Sequence, residues 1–113
     1  MKTLFILNDA PYGSERSYNA LRLAKALARR EGDSVRIFLM GDAVACAKAG
    51  QQVPAGYYNV GDMLRMAGGE VALCGNCMDA RGLGADDLVE GARRGTLNEQ
   101  AAWTAEADKV LVF

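Results

Sequence analysis

The chain has 113 residues, half of them apolar and 24% charged, with a net charge of -1, three cysteines and no histidine. That length bounds one domain, residues 1–113, burying somewhat over ~60% of the surface its unfolded form exposes. The apolar content and near-neutral balance exclude disorder and any general attraction to nucleic acid or an anionic membrane; a polyanion would need a local patch.

In chain order, "TLFIL" (3–7) is an apolar run without alternation, the pattern of a strand covered on both faces. The polar loop "NDAPYGSER" leads into a helix over about 14–30, with Tyr18, Leu21, Ala24 and Ala28 on one face and Ser14 or Ser17 as N-cap. "SVRIFLM" (34–40) is a second strand, Gly41-Asp42 opens a short Ala-rich helix, and "GQQVPAGYYNVG" is a loop. Asn59 caps a helix carrying Met63, Leu64 and Ala67, ended by Gly68-Gly69. "EVALC" is the third strand and is followed by a cysteine loop. Beyond it, "DDLV" suggests a helical turn and "EGARRG" a short edge strand.

Thr96 and Glu99 form a capping box for a helix through Trp103 to about Ala107, and "KVLVF" closes the chain as another buried strand. Strands alternating with helices predict a three-layer α/β/α domain around a mostly parallel sheet of four to five strands. In such sheets, reactive groups gather beyond the carboxyl ends of the strands, here at loops 8–14, 40–42 and 74–82.

The run Leu4–Leu7 is far short of a signal-peptide core, and no segment approaches a membrane span. A cytoplasmic protein is expected, in which thiols stay reduced and an odd cysteine count does not build a disulfide framework.

The stretch "CGNCMDARGL" (74–83) concentrates the chemistry. A metal site would need ligands from another subunit, since Cys74 and Cys77 supply two and Cys46 at most a third. A thioredoxin-type dithiol sits at the start of a helix, whereas "MDARGL" contains Gly82 and continues poorly as one. Buried apolar thiols are a third reading, favoured for Cys46 among its alanines. Cys77 differs from both, because Asn76, Met78 and Asp79 flank it in a turn. There a solvent-reachable thiol is a candidate nucleophile, favoured by the charge of Arg81 and opposed by Asp79.

Gly41-Asp42, the "YYNV...ML" segment, the cysteine loop and the closing "W...ADKVLVF" together resemble the DsrE-like family, and within it the small YchN-like branch. The resemblance spans essentially the whole chain. It implies a flavodoxin-like fold, a homo-oligomer with hexamer or trimer favoured, and the chemistry of sulfur-relay relatives. In those a loop cysteine carries sulfane sulfur as a persulfide between donor and acceptor proteins. That cysteine maps onto Cys77, with Cys74 second. No cofactor, metal, direct nucleic-acid contact or membrane attachment is implied. A second thiol two residues away departs from a single-cysteine carrier, because it can attack the persulfide, release sulfide and close a disulfide.

Asn8, Tyr12, Ser14, Gly41, Asp42, Asn76, Asp79 and Arg81 are the candidate pocket residues around the cysteines, with a capped helix start as the plainer account of the first three. Tyr57 and Tyr58 cover the crevice or an interface. Arg93 and Arg94 form a solvated face or meet an acidic carrier. The sulfur-carrier reading stands beside two alternatives: an oligomeric small-ligand-binding module with structural cysteines, and a dithiol/disulfide redox protein.

Overall fold

Apolar runs become parallel strands here because both of their faces are covered, and the chain strings five of them together through helical connections. The computed structural model describes residues 1–113. In order they form β1 (Lys2–Leu7), α1 (Arg16–Ala28), β2 (Ser34–Leu39), a 3-10 helix (Gly41–Ala47) and α2 (Val60–Arg65). There follow β3 (Glu70–Cys74), α3 (Gly75–Ala80), a 3-10 turn (Ala85–Asp87), β4 (Ala92–Gly95), α4 (Leu97–Glu106) and β5 (Lys109–Val112). The sheet order is β4-β3-β2-β1-β5 and every pairing is parallel. The three-layer α/β/α architecture expected from the alternating pattern is therefore the one observed.

The strand order dictates how the helices divide. From β1 to β4 the chain steps steadily outward, so its right-handed crossovers fall on one face; the last crossover returns past β1 to β5 and places α4 on the other. Phe5, Leu7, Ile37, Leu39, Val71 and Leu73 point into the larger core with Leu21, Ala24, Val44 and Leu64. Leu4, Phe38 and Ala72 point the opposite way, onto Trp103 of α4, whose ring meets Phe38 edge-on at 5.9 Å. The guanidinium groups of Arg36 and Arg93 lie 5.0 and 5.7 Å from the Trp103 ring centre.

Several local expectations are corrected. Neither Ser14 nor Ser17 caps α1. Glu15 occupies the cap position without a side-chain bond. Ser17 is buried and its hydroxyl donates to the Asp9 carbonyl at 2.8 Å, while Ser14 donates to the Asp9 carboxylate at 2.8 Å. Asn59 does cap α2, accepting from the Asp62 N–H at 3.0 Å.

Thr96 caps α4 by accepting from the Glu99 N–H at 3.1 Å, but the reciprocal half of the box is missing because Arg93 takes the Glu99 carboxylate at 2.6 and 2.8 Å. The closing strand is not buried. β5 is an edge with one neighbour, and Val112 is 65% exposed. No helix is long and apolar enough to cross a membrane.

Candidate functional site

The cysteine segment is a helix, not a loop. β3 ends at Cys74 and α3 begins at the next residue, with Cys74 as N-cap; its Sγ accepts from the Cys77 N–H at 3.3 Å. Met78, fully buried, roots the short helix in the larger core. Its end is closed by the Gly82 N–H to the Asp79 carbonyl at 3.2 Å and the Leu83 N–H to the Met78 carbonyl at 2.9 Å. Gly82 itself adopts φ +63. A glycine in that left-handed conformation just past the last turn is a helix stop. The residue that argued against a helix from the sequence is the one that terminates it.

Both sulfurs lie at the carboxyl rim of the sheet, on opposite sides of it. Cys77 packs against the larger core and Cys74 against the smaller α4-side cluster. Each is half-buried and unoxidised. The Cys77 sulfur accepts a hydrogen bond from the Gly41 N–H at 3.2 Å. Gly41, at the mouth of the 3-10 helix after β2, has φ +54, a conformation open to glycine and strained for other residues. Burial, and then the neighbouring Cys77 thiol, push the Cys74 thiol above the ordinary cysteine value.

The charged residues expected to act on Cys77, Arg81 and Asp79, are each paired elsewhere. Arg81 donates to the Asp42 carboxylate at 2.7 and 3.2 Å and to the Cys77 carbonyl at 3.1 Å, so it fastens α3 to the 3-10 helix without touching the thiol. Asp79 is held in a two-pronged pair with Arg94 at 2.8 and 2.9 Å, and that bond draws its carboxyl below the usual carboxylate range. The Arg94 guanidinium lies directly over Gly75, where a Cβ would come within 2.9 Å of it. α3 is thus clamped from β2's side by Asp42–Arg81 and from β4's side by Asp79–Arg94.

The first loop does not join this arrangement. The Asn8 amide donates to the Phe113 carbonyl at 3.2 Å. Tyr12 donates to the Tyr58 carbonyl at 3.0 Å and accepts from the Val60 N–H at 3.2 Å, inside an aromatic cluster with Tyr57 and Tyr58. Ser14 is spent on Asp9. Arg93 and Arg94, expected on a solvated face or against an acidic carrier, are both engaged within the chain by Glu99 and Asp79.

Cys46 is wholly inaccessible in the larger core, donating to the Asp9 carbonyl at 3.7 Å, and burial pushes its thiol up to about 12. No cluster of three or more Cys, Asp or Glu side chains is arranged around a point that could hold a metal ion.

Two cavities flank the cysteine helix. One, of about 620 Å³, is walled by Ala10, Asp42, Lys48, Arg81, Leu83 and Asp87. The other, of about 410 Å³, lies on the α4 side between Cys74, Asn76, Arg94, Thr96 and Gln100. Its apolar wall comes from Phe38, Met40 and Leu97. Sequence reasoning named neither the Gly41 N–H as the partner of Cys77 nor this second cavity. The first had a signal, a glycine directly after a strand; the second is assembled from five separate elements and had none.

The profile of the DsrE/DsrF-like family matches residues 1–113. The chain is 45% identical to Protein YchN of Escherichia coli strain K12, covering 99% of this chain and 98% of that one. It is also 42% identical to an uncharacterised protein of Methanocaldococcus jannaschii over the full length of both. The crystal structure of the Escherichia coli ychN protein superposes with a TM-score of 0.92 over 99% of this chain and 98% of that one. A Methanobacterium thermoautotrophicum protein of unknown function, 16% identical, shares the fold with a TM-score of 0.72 over 99% of this chain and 98% of that one.

Proposed function

The chain belongs to the DsrE/DsrF-like family, and from that premise we propose that it is a cytosolic sulfur-handling protein in which Cys77 takes up sulfane sulfur as a persulfide and passes it on. The observation that carries this reading is the Gly41 N–H aimed at the Cys77 sulfur at 3.2 Å. A backbone donor fixed on a sulfur favours negative charge there, and it needs no reorganisation when the charge develops. Loading is then a single displacement: the Cys77 thiolate attacks the terminal sulfur of a donor persulfide, the donor's S–S bond breaks, and the donor leaves as its thiolate. Delivery to an acceptor thiol runs the same step in reverse sense.

Donor and acceptor proteins belong to this reading, and so does a homo-oligomer, hexamer or trimer. The open edge of β5, with Val110 and Val112 outward, suits a second copy of the chain. Light scattering on the purified protein reports the assembly.

Mass spectrometry after incubation with polysulfide tests the chemistry. In the Cys74→Ser protein, where no second thiol can release it, one added sulfur atom is expected on the Cys77 peptide and none on the Cys46 peptide, and adding Cys77→Ser should abolish loading. An unmodified Cys77 in folded Cys74→Ser protein refutes the proposal.

A second reading, a dithiol redox protein, draws on the two thiols lying one helical turn apart, with the Cys77 N–H donating to the Cys74 sulfur, and on Cys74 standing at a helix start. It expects a Cys74–Cys77 disulfide under mild oxidation with no persulfide on either residue.

A further inference from the structure

The Cys77 N–H donates to the Cys74 sulfur at 3.3 Å, so the two thiols are neighbours across one helical turn, yet they pack against different surroundings, and Cys74 forms part of the wall of a cavity. That cavity, about 410 Å³, falls within the ~300–1,000 Å³ of small-molecule sites. One side is apolar, with Phe38, Met40 and Leu97; the other presents Asn76, Thr96 and Gln100, beside the Arg94 side chain already paired with Asp79. A short aliphatic stem with polar ends matches such walls. The Cys74 sulfur sits in the wall and not on a projecting loop, so a reactant thiol has to enter the cavity to meet it.

We infer that Cys74 is a resolving thiol whose cavity binds a low-molecular-weight thiol, making the protein a persulfide reductase that releases sulfide. The inference rests on the Cys77 persulfide proposed above. Cys74, as its thiolate, attacks the inner sulfur of the Cys77 persulfide; a Cys74–Cys77 bond forms, the sulfane S–S bond breaks, and hydrosulfide leaves with the bonding pair. A small thiol in the cavity, deprotonated, then attacks the Cys74 sulfur and frees Cys77 as thiolate, leaving a mixed disulfide on Cys74. A second thiol molecule attacks that mixed disulfide and regenerates Cys74. Two thiols are oxidised to one disulfide and the sulfane sulfur is reduced to sulfide.

The cavity is tested without any persulfide, so its failure and that of the Cys77 reading stay distinguishable. Cys77→Ser protein is incubated with oxidised glutathione, and formation of the glutathione adduct on Cys74 is followed by intact mass. A steady adduct on Cys74 is expected. Adding Gln100→Trp, which fills the cavity from α4, should slow it at least about tenfold, as a displaced reactant does. Ala101→Trp, which adds the same bulk to an exposed position of α4 outside the cavity, should keep the rate, separating bulk in the cavity from misfolding.

Wild-type protein given one equivalent of polysulfide should release sulfide and close the Cys74–Cys77 disulfide, which glutathione should then reopen, and Cys74→Ser should hold the persulfide. Equal adduct rates in Gln100→Trp and Ala101→Trp would overturn the inference. Reopening of that disulfide by a thioredoxin-type protein but not by glutathione would overturn it too, since the cavity would then have no role.

Discussion

Raising the pH should weaken the fold through one atom, the Cys46 sulfur. Its thiol stands at an ordinary value of 9.0 when the chain is unfolded and is pushed up to about 12 when folded, because burial penalises the thiolate. A raised folded value contributes stability in full below the unfolded value, and that contribution is lost as pH rises toward the folded one. The window is therefore pH 9 to about 12. Within it each pH unit costs ~1.4 kcal/mol, so at a pH of about 10.5 the loss is about 2 kcal/mol.

Other groups titrate in the same range, so the test is a difference. Urea denaturation of wild type and Cys46→Ala, both reduced, is measured near pH 8 and near pH 10.5. The cavity left by the missing sulfur does not titrate and cancels. Wild type should lose about 2 kcal/mol more than the variant over that interval, roughly 8–16 °C in melting temperature for a domain of this size. Equal losses would show that the sulfur is not held in a dry core.

Further outcomes follow from the same geometry. Native protein treated with iodoacetamide should be modified at Cys74 and Cys77 only, with Cys46 reacting after denaturant is added; prompt modification of all three by intact mass would contradict the burial of Cys46. Gly69→Ala should cost upward of ~2 kcal/mol in urea titrations, because a Cβ there collides with the Val35 carbonyl, a backbone atom that cannot swing aside. Thr96→Ala removes the acceptor of the Glu99 N–H and should cost ~1 kcal/mol by the same titration. Gly41→Ala strains a backbone at φ +54 by ~1–2 kcal/mol and pulls its N–H off the sulfur, so alkylation of Cys77 at fixed pH should slow; an unchanged rate would remove the Gly41 contact from the argument.

The strands and most helices were legible because their signals are local. "TLFIL", "SVRIFL" and "EVALC" are apolar without alternation, and Asn59 and Thr96 are caps that bond within three residues of themselves. The alternation of strand and helix sufficed for a parallel three-layer sheet, since such strands need crossovers. The "ARRG" edge was legible too, being too charged to lie at the centre. α3 was misread because Gly82 was weighed as an interruption when it is the left-handed stop, a distinction of one position that composition does not carry. β5 was misread because an apolar edge and an apolar centre look alike until the strand order is known.

What the chain determined by itself is the set of elements and the presence of two thiols at the end of an apolar strand. Only the tertiary structure decided what those thiols meet. The Gly41 N–H reaches Cys77 from 36 residues away, Asp42 claims the Arg81 charge from 39 away, and Arg94 claims Asp79 from 15 away. Pairings at that separation depend on β2, β3 and β4 lying side by side in register, which is a property of the packed sheet and of no segment within it. The side of the sheet on which each sulfur emerges has the same origin: Cys74 follows the alternation of β3, and the turn of α3 carries Cys77 across to the other face.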